Sequence, residues 1–99
     1  MGIGVGRHND KTTGHDGCGP VPLSDNLSIN TFANTKAVAL KDSKAASHGC
    51  KNHGSHNPTV SGVSSYTFSH NRGWGLKNST MSNCADKINE VSPNTFSNF

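Results

Sequence analysis

Little in this sequence supplies an ordinary core. Hydrophobic residues make up 30% of the 99 residues, against about 45–50% in a typical globular domain. Charged residues are 15%, too few for a chain kept unfolded by self-repulsion. Helix signal is nearly absent. The one helix-tolerant stretch, 35–46, carries Ala37, Val38, Ala39 and Leu40 consecutively, so it has no amphipathic face. No stretch near Met1 resembles a signal peptide, and no run approaches a membrane span. The expectation is a single soluble domain, made in a cytoplasm and exported only if a machine carries it. Three cysteines are an odd number, so a pure disulfide framework leaves one over. The net charge of +3 is diffuse and gives nucleic-acid binding weak support.

Gly, Ser, Asn and Thr dominate instead. They predict short strands between turns at 17–22, 24–27 and 92–94, with Lys11-Thr12-Thr13 as a further turn. The densest chemistry lies at 47–56, which holds His48, Cys50, His53 and His56. Imidazole and thiolate are the ligands that zinc prefers, and a metal is the natural staple for so thin a core.

Internal repeats organise the rest. Ser28-Ile29-Asn30-Thr31-Phe32 recurs as Ser64-Ser65-Tyr66-Thr67-Phe68 and as Ser92-Pro93-Asn94-Thr95-Phe96. Each reads as a strand that sends its Phe into a shared core, with Trp74 beside them. A second element follows. Ala37-Val38-Ala39-Leu40-Lys41-Asp42 matches Gly73-Trp74-Gly75-Leu76-Lys77-Asn78 and Gly4-Val5-Gly6-Arg7-His8-Asn9. Small residues flanking a large one suit strands whose neighbours approach closely. Gly2-Ile3-Gly4-Val5-Gly6 has neither the preceding strand nor the following helix of a dinucleotide fingerprint.

His15 lies ten residues after Val5, His48 ten after Val38, and Cys84 ten after Trp74. Three units thus end in a metal-ligand residue at one equivalent position. They span 28–48, 64–84, and a split unit drawn from 1–15 and 92–99, all within one domain, 1–99. The fold expected is all-β. It is a small pseudo-threefold cone, or triangular pyramid, of short strands and hairpins with little or no helix, metal-stapled at the apex. His15, His48 and Cys84 would meet on the axis. A closed zinc site needs a fourth ligand, and His56 is favoured because it can fold back over the axis. Cys50 lies two residues from His48, a spacing that strains a shared tetrahedron. The plainer alternatives are a solvated loop histidine at 56, a small buried side chain at Cys18, and His8 and His70 in strands or turns without metal. Four protein ligands leave no position for a reactive water, so no enzyme is expected.

The repeats and the Gly14-His15 and His48-Gly49-Cys50 segments resemble those of the PAAR-repeat family. These proteins cap the trimeric spikes of type VI secretion systems and contractile phage tails. The resemblance covers essentially all of 1–99, although Pro-Ala-Ala-Arg itself is not intact and only Arg7 keeps its arginine. It implies a sharp cone with one structural metal ion, zinc or alternatively iron, held near the tip by three His and one Cys: His15, His48, His56 and Cys84. It implies one chain per spike, its base on the blunt end of a trimeric β-helical spike protein and its apex toward a target cell envelope, with no nucleic acid. The location implied is the tip of a virion's tail spike, or secretion by a type VI machine, after synthesis in a bacterial cytoplasm. The alternative is a zinc-binding nucleic-acid module. Scattered basic residues and aromatic residues placed in repeat cores speak against it.

Overall fold

A computed structural model describes residues 2–14, 19–50, 53–82 and 86–99, with side chains for all of these except 48–50 and 53–55. As expected, the chain is all-β, and no helix occurs among the described residues. The strands are β1 (Ile3–Gly4), β2 (Leu23–Asp25), β3 (Phe32–Ala33), β4 (Lys36–Ala37), β5 (Lys44–Ala45), β6 (His48–Cys50), β7 (His53–His56), β8 (Thr59–Val60), β9 (Phe68–Ser69), β10 (Arg72–Gly73), β11 (Met81–Ser82) and β12 (Phe96–Ser97).

Three antiparallel pairs share one register. Phe32 opposes Ala37 in β3–β4, Phe68 opposes Gly73 in β9–β10, and Phe96 opposes Gly4 in β12–β1. The first two pairs turn through Asn34-Thr35 and His70-Asn71, all with positive φ, as a hairpin turn matched to strand twist requires. The third joins the two ends of the chain. A buried serine precedes each pair. Ser28 Oγ accepts the amides of Asn30 and Thr31, Ser64 Oγ those of Tyr66 and Thr67, and Ser92 Oγ those of Asn94 and Thr95. The segments from Ser to Thr are therefore serine-capped turns, and the strands predicted there begin only at the Phe. The Phe residues do not enter the core. Phe32, Phe68 and Phe96 are 57%, 56% and 52% exposed. Strand alternation is the reason: Ala33 and Ser97, the next residues, take the inward face.

Past the hairpins the three strands circle a pseudo-threefold axis. The Gly6 amide donates to Gly75 O, the Gly75 amide to Ala39 O, and the Ala39 amide to Gly6 O, each at 2.8 Å. Single bridges flank this ring at Val5–Leu76, Arg7–Val38 and Leu40–Trp74. The ring explains the small residues. A Cβ on Gly75 would sit 3.2 Å from Ala39 Cβ and 3.0 Å from Ile88 Cδ1. Three turns then follow at Asn9, Asp42 and Asn78, with φ of 71°, 72° and 70°, a region that Asn and Asp tolerate best among residues with a side chain.

Beyond the turns six short segments form a closed wall. β11 pairs with β8, β8 with β5 and β5 with β2. The bridges Lys11–Pro22, Thr12–Ile88 and Thr80–Lys87 complete the circuit. Lys11 and Thr12, expected in a turn, belong to this wall, and Thr12 is fully buried. Closure removes free strand edges from this layer.

The ring divides two cores. On the hairpin side Val5, Val38, Leu40 and Leu76 pack with Ala33, Ile3 and the half-buried Trp74. Inside the wall the equivalent residues Leu23, Val60 and Ile88 pack with Ala39, Ala45 and Met81. Few apolar residues suffice because each is used in triplicate around one axis.

Candidate metal-binding end

Three excursions leave the wall after Thr12, Ala45 and Met81, which occupy equivalent places in it. His15, His48 and Cys84 each follow by three residues. The bases of the excursions are tied in a circle. The Thr13 amide donates to Lys87 O at 3.0 Å and the Ala46 amide to Pro22 O at 2.9 Å. Ser82 Oγ donates to Thr59 O at 3.3 Å. The equivalence read from spacing thus holds in the backbone up to the foot of each excursion.

His15 and Cys84 lie outside the described residues, as do Asp16 and Cys18. The second excursion is described as backbone. It forms the hairpin β6–β7, in which His48 pairs with His56 and Cys50 with His53. Residues paired directly across an antiparallel ladder share a face, with Cβ atoms about 4.5–5.5 Å apart. The hairpin is what brings position 56 back to position 48, and His56 is half-buried there. Its return is anchored by Asn57 Nδ2 donating to Ala45 O at 3.2 Å and by the Ala45 amide donating to the buried Pro58 carbonyl at 2.8 Å. Among residues whose side chains are described, no group of three or more potential metal ligands gathers. Of the expected ligand positions, the described backbone brings together 48 and 56. Asp86, buried where the third excursion returns, adds a carboxylate near this end.

His8 and His70 lie in exposed turns. His70 Nε2 approaches Ser28 Oγ at 3.3 Å, joining the second hairpin to the first unit's neighbour. The opposite end of the axis carries a feature that pattern reading missed, the three equivalent exposed Phe residues. Its signal was the alternation Phe32-Ala33 and Phe96-Ser97, in which the smaller residue is the inward one.

No model of a known protein family matches the chain, and no curated protein does.

Proposed function

We propose that this chain is a spike tip of the PAAR-repeat kind, seated on the blunt end of a trimeric β-helical spike. The observation that carries the reading is the placement of Phe32, Phe68 and Phe96. They are equivalent in register and more than half exposed, one on each hairpin around the axis. Large apolar side chains repeated on a small surface mark a binding face. A threefold partner offers three identical sites, and a single chain can engage all three only if it repeats its own contact three times. Ile29, Tyr66 and Phe99 are also exposed and widen the apolar surface.

The excursion end then points away from the spike toward the envelope. One structural divalent ion, zinc or iron, would tie that end together through His48 and His56, with further donors from the same end. The chain acts mechanically and performs no catalysis in this reading.

Exposure of the Phe residues removes one objection to the nucleic-acid alternative. Docking remains the better account, because stacking on a single strand needs aromatics along one track, whereas these are distributed around an axis.

The test is co-expression with a trimeric β-helical spike protein of a contractile injection machine from the same source, followed by native mass spectrometry. One copy of this chain per spike trimer is expected, lost in the triple variant Phe32→Ser/Phe68→Ser/Phe96→Ser. Equal numbers of both chains in the complex, or capture unaffected by the triple variant, would overturn the reading. Salt-sensitive binding to single-stranded DNA in place of spike binding would favour the alternative.

A further inference from the structure

The serine that precedes each hairpin has a second task. Ser28, Ser64 and Ser92 each lie four residues before a Phe, and Asn34, His70 and Asn98 each lie two residues after one. The two sets meet in a closed circle. Ser92 Oγ donates to Asn34 Oδ1 at 2.6 Å, Ser64 Oγ donates to the Asn98 carbonyl at 2.5 Å, and Ser28 Oγ meets His70 Nε2 at 3.3 Å. Each contact ties one Phe-bearing segment to the next.

Two of these contacts fix the chemistry of the third. A carbonyl oxygen only accepts, so Ser92 and Ser64 are the donors there. Ser28 Oγ already accepts the amides of Asn30 and Thr31, at 3.3 Å and 2.9 Å, which occupies both lone pairs of a hydroxyl. Its hydrogen is what remains for His70. Nε2 is therefore the acceptor, and the ring is neutral with its proton on Nδ1. An imidazolium carries hydrogen on both nitrogens and has no acceptor to offer. The carbonyl oxygens of Asn34 and Asn98 do not titrate. One joint of the three depends on a proton, and the other two do not.

The surroundings give a protonated ring nothing in exchange. β9–β10 meets the segment around Asn26 and the turn at Lys41-Asp42 through Arg72. The Arg72 guanidinium donates to the Asn26 carbonyl at 2.9 Å and to the Lys41 carbonyl at 2.8 Å. The charged side chains of these segments are Asp25, Lys41, Asp42 and Arg72, and neither carboxylate forms an ion pair with His70.

We propose that His70 is a proton-sensitive latch. While its ring is neutral it holds β9–β10, and Phe68 with it, against Ser28. On acidification it lets the tip of that hairpin go, while Arg72 keeps its base in place. Histidine ordinarily changes charge between about pH 5 and 8. The neutral ring is the bonded form, so the latch is closed at the upper end of this range and opens as the pH falls through it. His70 is exposed, so a proton reaches it without prior unfolding. The latch does not depend on what the Phe end binds, and its test needs no partner.

The experiment compares the full-length chain with His70→Asn. Asn already occupies the equivalent turn position at 34, with a φ of 55° against 54° at His70, so the fold accepts it, and its amide oxygen does not titrate. Nitrogen-15 NMR follows both proteins through the pH range. In wild type the backbone amides of Asn30 and Thr31 should shift with the midpoint of the His70 ring, because Ser28 Oγ serves all three; in the variant those shifts should vanish. Urea unfolding at about pH 8 and about pH 5 gives the second readout. The unfolding constant of wild type relative to the variant should rise about two- to tenfold on acidification, the net worth of one hydrogen bond. Taking this ratio cancels the titration of the other histidines. A ratio indifferent to pH, amides at 30 and 31 that ignore the His70 titration, or a ring that carries its proton on Nε2 at about pH 8 would each overturn the proposal.

Discussion

One corner of this molecule is built differently from its two equivalents. After the axial ring, the second and third units place Leu40 and Leu76 in the core, and the backbone amide of each donates to a serine three residues on, Ser43 Oγ at 2.9 Å and Ser79 Oγ at 2.8 Å. The first unit places Arg7 and Asp10 in those two positions. Its amide still finds an acceptor at the same place, Asp10 Oδ2 at 2.9 Å. The leucine's volume is replaced by a guanidinium that bonds both carboxylate oxygens, at 2.8 Å and 3.0 Å. The same guanidinium reaches Asn34 Oδ1 at 3.0 Å and the Val91 carbonyl at 3.3 Å. Its partner Asn34 also accepts from Ser92 Oγ at 2.6 Å. What the corner requires is therefore an acceptor for one buried amide. The ionic version adds a polar link from the first unit to the first hairpin and to the C-terminal segment, where the repeat is split and no covalent turn holds it.

The corners can be broken unequally. Asp10→Ala should cost the most, about 3–5 kcal/mol, because it strands a buried arginine and an amide together; urea unfolding measures it. Gly75→Ala should cost about 1–3 kcal/mol by overpacking, since the new methyl meets Ile88 and Ala39 on the axis. Ser79→Ala leaves the Leu76 amide without its acceptor and should cost about 1–3 kcal/mol. The double variant Arg7→Leu/Asp10→Ser copies the other corners. It should fall between no change and a gain of about 1 kcal/mol, as replacements of buried ion pairs often do. A loss as large as that of Asp10→Ala would show that the link to Asn34 and Val91, and not the corner itself, carries the stability. The triple Phe variant should change stability least, by about 0.5 kcal/mol or less per site, in keeping with side chains that face water.

Much of the body could be read from residue order. The small-large-small pattern marked the strands around the axis because only Gly or Ala fits where three backbones meet. The Asn or Asp closing each copy marked a left-handed turn. Both signals are local. The Phe residues misled because one large apolar residue in a two-residue strand does not reveal which face is inward; the neighbours Ala33 and Ser97 decide it. The wall was harder still. Its return segments, around Leu23, Val60 and Ile88, share little sequence, and each is defined by a partner distant in the chain. At the excursion end, the density of His and Cys was plain, but the pairing that brings position 56 back to position 48 is a property of register.

The pairing of β12 with β1 also sets a timetable. Phe96 is synthesised 92 residues after Gly4, yet each is the other's strand partner. A chain still emerging from a ribosome can form β3–β4 and β9–β10 but must leave β1 without its partner strand. Ile3 and Gly4 wait, exposed, for Phe96 and Ser97. A stalled or truncated product is therefore missing one side of its threefold body and is a natural target for proteolysis. Only a chain that has reached Phe96 and Ser97 has three faces to present.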